Sequence, residues 1–470
     1  MQADLVVIGA GPAGMAAAAT ATEAGLSVVI LDEQARAGGQ IYRDVTRSAA
    51  RRGDILGQDY SAGLPLAAGL EQPSITHVTR ATVWQIAPDG AVAYSVDGRG
   101  AIVHGRRVLL ATGALERPMP VPGWTLPGVM TAGAGQILIK ESGMVAGRAV
   151  LAGSGPLLYL IAAQMVRAGT PPLALVETQS RRDTVAALRH LGGALRGWRY
   201  LVKGLSMLAE IRRAGVPRYT AASDIAVAGT DRAEALSFVA GGKRHRIACE
   251  TVFLHHGVVP NMQAARSLDI PHRWNAAQAC FVPETDPWGR TEIPNVFIAG
   301  DGAGIGGAKA AEQAGRLAAL EAARDLDRIS ADARDRAAAP VRAALRGELA
   351  VRPFLDRAYP PYAAALQPAD ATVVCRCEEV TAGDIRGYAA LGCKGPNQTK
   401  AFGRPGMGPC QGRYCGLTVV SILAAETGQG MDETGYYRVR PPLKPVTLGE
   451  LAAMEETPAE DPAVMAADGR

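Results

Sequence analysis

The chain has 470 residues, 48% of them apolar, with 55 glycines and a net charge of +4. That length exceeds what one hydrophobic core serves, so two or three domains are expected, and so small a charge gives no electrostatic case for nucleic acid as a partner. No stretch reaches the roughly 18 apolar residues of a membrane span, which together with an apolar run starting by residue 4 predicts a cytoplasmic protein.

The segment Asp4-Leu5-Val6-Val7-Ile8-Gly9-Ala10-Gly11-Pro12-Ala13-Gly14 opens with an apolar run suited to a strand buried on both faces. Gly9-x-Gly11-x-x-Gly14 follows at once. Gly9 allows a tight turn, Gly11 removes the Cβ that would block a pyrophosphate, and Gly14 lets the next helix lie close against the strand. Pro12 falls in the first helical turn, where its missing N–H costs least. The helix is expected to stop at Gly25, and Val28 to Leu31 forms a second strand that delivers Asp32 as the ribose acceptor, with Glu33 as the neighbouring alternative. This is a dinucleotide site whose free helical N–H groups receive phosphates.

Ser74 to Val103 alternates as a small β-meander with turns at Asp89-Gly90 and Asp97-Gly98. Closely spaced prolines from Glu116 to Gly123 mark a hinge. A second dinucleotide-like unit starts at Arg148: a strand at Ala149 to Ala152, then Gly153-Ser154-Gly155-Pro156-Leu157-Leu158, then a strand ending at Glu177. Leu158 stands at the third glycine position and is expected to push the helix off the strand, so NAD(P) binding is not expected. Gln179 to Tyr219 is a helix-like insertion carrying Arg181, Arg182, Arg189, Arg196, Arg199, Lys203, Arg212, Arg213 and Arg218, read either as a solvated face or as a docking surface for another subunit. His255 and His256, at a strand end beside a hinge, read as structural. Charged helices then run through Arg346 with a break at Pro340, and the prolines of Arg352 to Tyr362 form a crossing to the last domain.

Of seven cysteines, four cluster near the C-terminus, which suits a metal site in a reducing compartment better than a disulfide framework. Cys375-Arg376-Cys377 is followed after 32 residues by Cys410-Gln411-Gly412-Arg413-Tyr414-Cys415. Four thiolates in two close pairs hold a tetrahedral Zn or bridge two irons, and spacing alone leaves both open. Context favours iron. Thr381 to Asp384 is a helix-start box, its helix stopping at Gly392, and Cys415 opens another helix whose dipole stabilises a negative cluster. Arg376, Lys394, Lys400, Arg404 and Arg413 surround the ligands in sequence and offset their charge, while Cys249, Cys280 and Cys393 read as packing thiols.

The N-terminal unit resembles the FAD site of the two-dinucleotide-binding-domain flavoproteins, the group of thioredoxin and glutathione reductase. Gly38-Gly39-Gln40 after the acid, the returning strand Val108 to Gly113 and the stretch Thr291 to Asp301 carry that resemblance. It implies that FAD is held by Gly9, Gly11, Pro12, Ala13, Gly14, Asp32, Glu33, Gly38, Gly39, Gln40, Ala111, Thr112, Gly113, Gly300, Asp301, Gly307 and Ala308, with Asp301 on the ribityl chain. The helix after Gly307 would then point at the flavin's carbonyl edge. The C-terminal cysteines resemble the bacterioferritin-associated ferredoxin type of [2Fe-2S] domain, although the second pair has a four-residue gap where that family has a shorter one. The ligands implied are Cys375, Cys377, Cys410 and Cys415. The expected fold is α/β. FAD-binding parts at 1–118 and 261–330 enclose a NAD-like insert at 119–260; a helical and Pro-rich linker at 331–369, the small helical [2Fe-2S] domain at 370–445 and a tail at 446–470 follow.

No Cys-x-x-Cys lies near the flavin motifs, which excludes disulfide reduction, and no acid/base constellation for substrate dehydrogenation stands out. The order of motifs, the stretch Pro120 to Val129 and the run Tyr437 to Val446 resemble, over nearly the full length, the A (α) subunit family of heteromeric opine oxidases. That family includes opine and (hydroxy)proline dehydrogenase α subunits and the B-type subunit of hydrogen cyanide synthase. The resemblance implies an oxidoreductase subunit, incomplete alone, that relays electrons from a FAD-containing, amino-acid-oxidase-like β subunit. There the C–N bond of an opine or (hydroxy)proline-like amino acid is oxidised. Some members add an FMN at the junction and a small γ subunit, and the electrons leave for a quinone or another carrier, which would place the complex at the periphery of the inner membrane. The alternatives are a self-sufficient NAD(P)H-dependent reductase, supported by Glu177 and Arg181-Arg182, a glycine-oxidising cyanide synthase B-type subunit, and an assembly scaffold with structural cofactors.

Overall fold

The apolar run Gln2–Ile8 takes a central position in a seven-stranded sheet in the computed structural model, which describes residues 1–454. Residues 455–470 of the expected tail lie outside the described residues. Val28–Asp32 and Arg99–Leu110 flank Gln2–Ile8 in parallel, with Val7 opposite Ile30 on one side and Leu109 on the other. Ile75–Thr79 extends the parallel sheet beyond Val28–Asp32, and Val296–Ile298 pairs with the end of Arg99–Leu110. Alternation divides the strands between two cores: Leu5, Val7, Ile30 and Leu109 face one helical layer, and Val6, Val29, Val108 and Val296 face the opposite side. The meander therefore begins at Thr82 rather than Ser74. Ile75–Thr79 alternates like a meander strand, but its pairing with Val28–Asp32 makes it a parallel edge.

Helices Pro12–Glu23 and Ala308–Asp325 lie on one face of this sheet and pack against each other so closely that a Cβ on Gly315 would overlap the Ala13 carbonyl oxygen. A second, five-stranded parallel sheet runs in the order Arg218–Tyr219, Ala174–Glu177, Ala149–Gly153, Thr251–His255, Val129–Thr131. Leu158 is fully buried on the Pro156–Arg167 helix, so its side chain fills the core at the third glycine position. The two sheets are joined where Ala114–Glu116 pairs antiparallel with Val258–Pro260. The insertion is helical as expected over Arg181–Ala187, Leu191–Arg196 and Trp198–Arg213, but its end, Arg218–Tyr219, is an edge strand rather than helix, because it pairs with Leu175 and Val176.

One further expectation needs correction. The helix Ala331–Leu349 runs unbroken through Pro340. It is anchored on both sides of the proline: Arg334 pairs with the buried Glu321 at 2.6 Å, and the guanidinium groups of Arg334 and Arg342 stack on Trp288 at 4.3 and 4.0 Å. The Pro-rich crossing contains a helix, Arg352–Ala358, with Pro353 in its first turn where it is tolerated. The start of the tail is ordered too, since Leu448–Ala452 forms a helix with a capping box between Thr447 and Glu450. The C-terminal domain also holds a hairpin, Val373–Cys375 with Val380–Thr381, ahead of helices Ala382–Ala390, Pro396–Gly403 and Gly416–Thr427. Its first helix starts with the expected reciprocal bonds: Asp384 N donates to Thr381 Oγ1 at 3.2 Å and Thr381 N to Asp384 Oδ2 at 2.9 Å.

Candidate functional site

The first helix starts at Pro12 with Gly11 extended and no side chain capping its amides, which leaves its first N–H groups available to an anion. A Cβ on Gly9 (φ 105°) would lie 2.5 Å from Ala111 O, one on Gly14 would overlap Gly9 O, and one on Gly39 (φ 58°) would lie 2.8 Å from Gly11 Cα. A Cβ on Gly11 would meet only Gly39 Cα, at 3.8 Å, because its other side is open to a cavity of about 1630 Å³. Gly9, Gly11, Pro12, Ala13, Gly39, Gln40, Ala111, Thr112, Gly113, Asp301, Gly307 and Ala308 all line this cavity. Gly14, Gly38 and Gly300 lie behind the wall and set its shape: Gly38 N donates to Ala10 O at 2.8 Å, and a Cβ on Gly300 would lie 2.8 Å from Ala13 Cβ.

The two acids at the end of the second strand, Asp32 and Glu33, both line the cavity but differ in exposure. Asp32 is 6% exposed; its Oδ2 accepts from Ala10 N at 2.5 Å and its Oδ1 from Gln34 N at 2.7 Å. Burial pushes its pKa up against the pull of those two amides. The carboxylate that is exposed on the cavity wall is Glu33, held by Lys444. Asp301 Oδ1 accepts from Gly306 N (2.8 Å) and Gly307 N (2.9 Å), which fixes the loop entering the Ala308–Asp325 helix.

On the hinge side, Glu116 and His255 form a pair on the wall. Glu116 Oε1 lies 2.6 Å from His255 Nδ1, and its Oε2 accepts from Gly133 N at 2.7 Å. His256 is satisfied by Pro118 O at Nε2 and by the Tyr362 amide at Nδ1, and burial holds its pKa well below the usual range. The neighbouring Arg117 donates to Gln278 O and Ala279 O at 2.9 Å each. Burial brings its pKa down to about 10, so it stays charged near neutrality, and no carboxylate pairs with it among the described residues.

The second glycine loop keeps its turn geometry, with Gly153 and Gly155 at φ 133° and 126°. The acid that would meet a ribose there is enclosed. Glu177 is 0% exposed, receives Nε and Nη2 of Arg218 (3.0 and 2.7 Å) and Nε2 of Gln179 (2.7 Å), and is hydrogen-bonded by Tyr159. The Arg352–Ala358 helix supplies Phe354 and Leu355 to the cavity wall, and Tyr359 sets its ring edge-on to Tyr159 at 6.1 Å. Arg181 and Arg182 stand exposed and do not line the cavity.

At its far end the cavity reaches Pro409, Cys410, Arg413 and Tyr414. The four C-terminal thiols come together as two hydrogen-bonded pairs, Cys375 with Cys415 and Cys377 with Cys410. The Cys415 thiol, with the backbone N–H groups of Gly406, Glu378 and Cys377, holds the Cys375 pKa down to about 6, whereas the Cys375 partner and burial push Cys415 itself well up. No group of three or more His, Cys, Asp or Glu side chains converges on one metal position among the described residues. A mononuclear Zn needs four donors around one centre, so paired thiols with N–H groups aimed at sulfur fit a binuclear cluster better. The expected ring of positive charge is only partly there. Arg404 is paired with Glu378, Arg376 lies over Trp124 and Lys400 over Tyr437, while Arg413 reaches inward to Cys410 O (3.1 Å) and Leu443 O (2.9 Å). Cys393 is buried apart from these thiols, as are Cys249 and Cys280.

Sequence motifs did not point to Arg117, Glu116 or the Leu443–Pro445 stretch as wall residues. A signal existed for the second cysteine pair in Gly408, where a Cβ would overlap Cys377 Cβ, and in Gly412 (φ 78°). Both glycines flank Cys410.

The sequence matches the pyridine nucleotide-disulphide oxidoreductase family over residues 3–315 and the sarcosine oxidase A3 domain over residues 370–455. The opine oxidase A (α) subunit of Agrobacterium tumefaciens (strain Ach5) is 45% identical, over 97% of this chain and 92% of that protein. Its counterpart in Rhizobium meliloti is 44% identical, over 97% and 88%. Hydrogen cyanide synthase subunit HcnB of Pseudomonas aeruginosa is 31% identical, over 94% and 96%. Among solved structures, L-proline dehydrogenase from P. horikoshii shares the fold with a TM-score of 0.71 at 17% identity, covering 96% of this chain and 79% of that one. Thioredoxin reductase from T. acidophilum shares it over 69% of this chain and 99% of that one, with a TM-score of 0.50 at 18% identity. Aligned nearly end to end at this identity, the chain is an oxidoreductase subunit that belongs to the opine oxidase A (α) subunit family, built on the pyridine nucleotide-disulphide oxidoreductase fold.

Proposed function

We propose that this chain is the electron-transfer subunit of a heteromeric enzyme that oxidises the C–N bond of an opine, with FAD in the Gly9–Gly39 cradle and a [2Fe-2S] cluster on Cys375, Cys377, Cys410 and Cys415. The amine sits on a partner β subunit that resembles an amino-acid oxidase. The observation that carries this reading is one cavity whose wall begins at the glycine cradle and ends on Cys410 and Arg413. The open face of Gly11 and the uncapped amides of the first helix receive the pyrophosphate. Because Asp32 commits both oxygens to backbone, Glu33 takes the ribose. Asp301, fixed through Oδ1, turns its other oxygen to the ribityl chain. Arg117 and the N-terminus of the Ala308–Asp325 helix bring positive potential to the wall, which favours an anionic ring edge there.

A flavin accepts electrons as a pair and a two-iron cluster passes them singly, so together these groups join a two-electron oxidation to a one-electron chain. The chain's own residues bind, orient and exclude water. The titratable pair on the wall, Glu116 with His255, is closed on itself and on Gly133. Enclosure of Glu177 argues against a self-sufficient NAD(P)H reductase, whose dinucleotide would need that acid free.

Anaerobic spectroscopy of the purified chain, alone and with its co-purifying subunit, tests this reading. Expected are flavin and about two non-haem irons per chain, no rapid bleaching by NADH or NADPH, and bleaching by an opine only when the partner is present. Fast bleaching by a nicotinamide, opine turnover by the isolated chain, or a preparation free of flavin and iron would each overturn it.

A further inference from the structure

The run Tyr437 to Val446 lies beyond both nucleotide-type units in the chain, yet its Leu443, Lys444 and Pro445 line the cavity. It starts inside the cysteine domain, where Tyr437 is buried in the same core as Cys375 and Cys415. Two residues on it changes sides, and Val439 and Leu443 pack into the core on the Val6 face of the first sheet, together with Ile86. Leu443 is clamped through its backbone: its N–H donates to Trp84 O at 2.7 Å and its carbonyl accepts from Arg413 Nη2 at 2.9 Å. Lys444 then pairs with Glu33, the exposed acid of the cavity wall. Past Pro445 the segment is held again, because the Leu448–Ala452 helix meets the meander so closely that a Cβ on Gly100 would lie 2.7 Å from Glu450 O. Residues 443–445 are therefore fixed on both sides and presented to the cavity, which Ala81, Val83 and Ile86 of the meander also line.

We propose that Leu443, Lys444 and Pro445 complete the dinucleotide site as a clasp on its adenosine half, with Lys444 as the residue that positions the Glu33 carboxylate. This rests on the reading that FAD occupies the cradle and that Glu33 takes the ribose. A free carboxylate on that wall would repel the dianionic pyrophosphate received by the first helix. Lys444 offsets the charge and holds the carboxylate in one place, so that its oxygens can accept from ribose hydroxyls. Leu443 and Pro445 add apolar surface beside Ala81, Val83 and Ile86, which a flat heteroaromatic base needs in order to leave water. Because the clasp meets the wall at Glu33, it acts on the adenosine half and leaves the flavin half to Asp301 and the Ala308–Asp325 helix. The cysteine domain thereby contributes to cofactor retention through a segment that contains no cysteine.

The test is the rate at which the full-length holoprotein releases FAD, followed as the rise in flavin fluorescence after dilution. Lys444→Met should release FAD about tenfold faster than the native chain, the worth of one charge-assisted contact, with circular dichroism unchanged. Lys444→Arg should stay near the native rate. Because the Glu33 and Lys444 side chains are 49% and 31% exposed, salt screens the pair, so high salt should speed release from the native chain and leave Lys444→Met unaffected. In a Glu33→Gln background Lys444→Met should have no further effect, since the lysine works through that carboxylate. Leu443→Ala should also speed release, whereas Arg438→Ala, in the same run but off the cavity wall and paired with Asp269, should not. Native release rates from both Lys444→Met and Leu443→Ala would overturn the clasp while leaving FAD in the cradle. Full acceleration by Lys444→Met in the Glu33→Gln background would overturn the positioning role, and Arg438→Ala as fast as Lys444→Met would reduce the run to a brace between domains. A chain that purifies without FAD would instead overturn the cofactor reading itself.

Discussion

At Gly14 the missing side chain is the structural requirement, because any Cβ there would overlap the carbonyl oxygen of Gly9 and force the first helix off the sheet. Gly14→Ala is expected to cost about 3 kcal/mol or more, the range of backbone overpacking, and to yield protein without yellow colour; urea unfolding and visible absorption check both. Lys140 makes a subtler demand. Its Nζ donates to Gln40 O (2.9 Å) and Gln136 Oε1 (2.8 Å), and burial, then Arg43, bring its pKa from 10.5 down to about 7. The unfolded chain keeps that amine protonated to its ordinary value, so above pH 7 the unfolded state holds the extra proton and stability from this position rises with pH. Between pH 7 and pH 9, the stability difference between the native protein and Lys140→Met should move in favour of the native protein by about 2.3 kcal/mol, less than two full pH units' worth because the native amine is still half protonated at pH 7, read from urea midpoints at the two values. The glycine was legible because its demand is local, fixed by a turn and a helix start. Lys140 was not, since its partner Gln40 lies 100 residues away and only the assembled wall brings them together.

Pro340 shows the limit of propensity at the level of an element. A proline in a helix interior removes one hydrogen bond and crowds the preceding turn, yet Glu321 with Arg334 on one side and Arg342 on Trp288 on the other hold the helix through it. Since Pro340 is exposed, Pro340→Ala should raise stability by about 1–3 kcal/mol with function unchanged; an unchanged or lowered unfolding midpoint would mean the ring itself packs. The central strands of both sheets were readable from their continuous apolar runs and the helix starts from Pro12, Pro156 and the Thr381 box, whereas the short edge strands Val129–Thr131 and Arg218–Tyr219 were not. The Arg352–Ala358 helix was hidden because Pro353 and the later prolines signal a crossing as strongly as a first turn. A comparable inversion occurs at Glu177, whose place at a strand end signals a ribose acceptor while Arg218 and Tyr159, reached only through the fold, consume it. Arg218→Met leaves that buried carboxylate short of its cation and should cost about 2–3 kcal/mol, below the figure for a fully buried pair because Arg218 is one-third exposed. Adding Glu177→Gln should recover most of the loss, and neither variant should gain NADH-dependent bleaching.

On the scale of the whole molecule, the two nucleotide-type units and the cysteine domain were legible from motif order, but their joining was not. Docking rests on bonds between distant segments: Trp124 Nε1 to Val373 O (2.7 Å), Gln263 Nε2 to Gln411 O (2.8 Å) and Leu443 N to Trp84 O (2.7 Å). These bonds place Cys410 and Arg413 on the wall that starts at Gly9, so the cavity and the thiol cluster share a boundary although their residues are four hundred positions apart in the chain. Such a boundary separates two roles that a variant can uncouple. Cys377→Ser with Cys410→Ser removes one thiol pair and leaves the glycine cradle, Glu33 and Asp301 untouched. Iron should fall to background while flavin content, and its bleaching by opine in the presence of the partner subunit, persist. Electron delivery to a one-electron acceptor should drop to the background rate of the flavin alone. Loss of flavin together with iron would mean that the C-terminal domain holds the cradle in shape. Undiminished delivery would mean that electrons leave from the cavity, and the shared wall would then serve only to seal it.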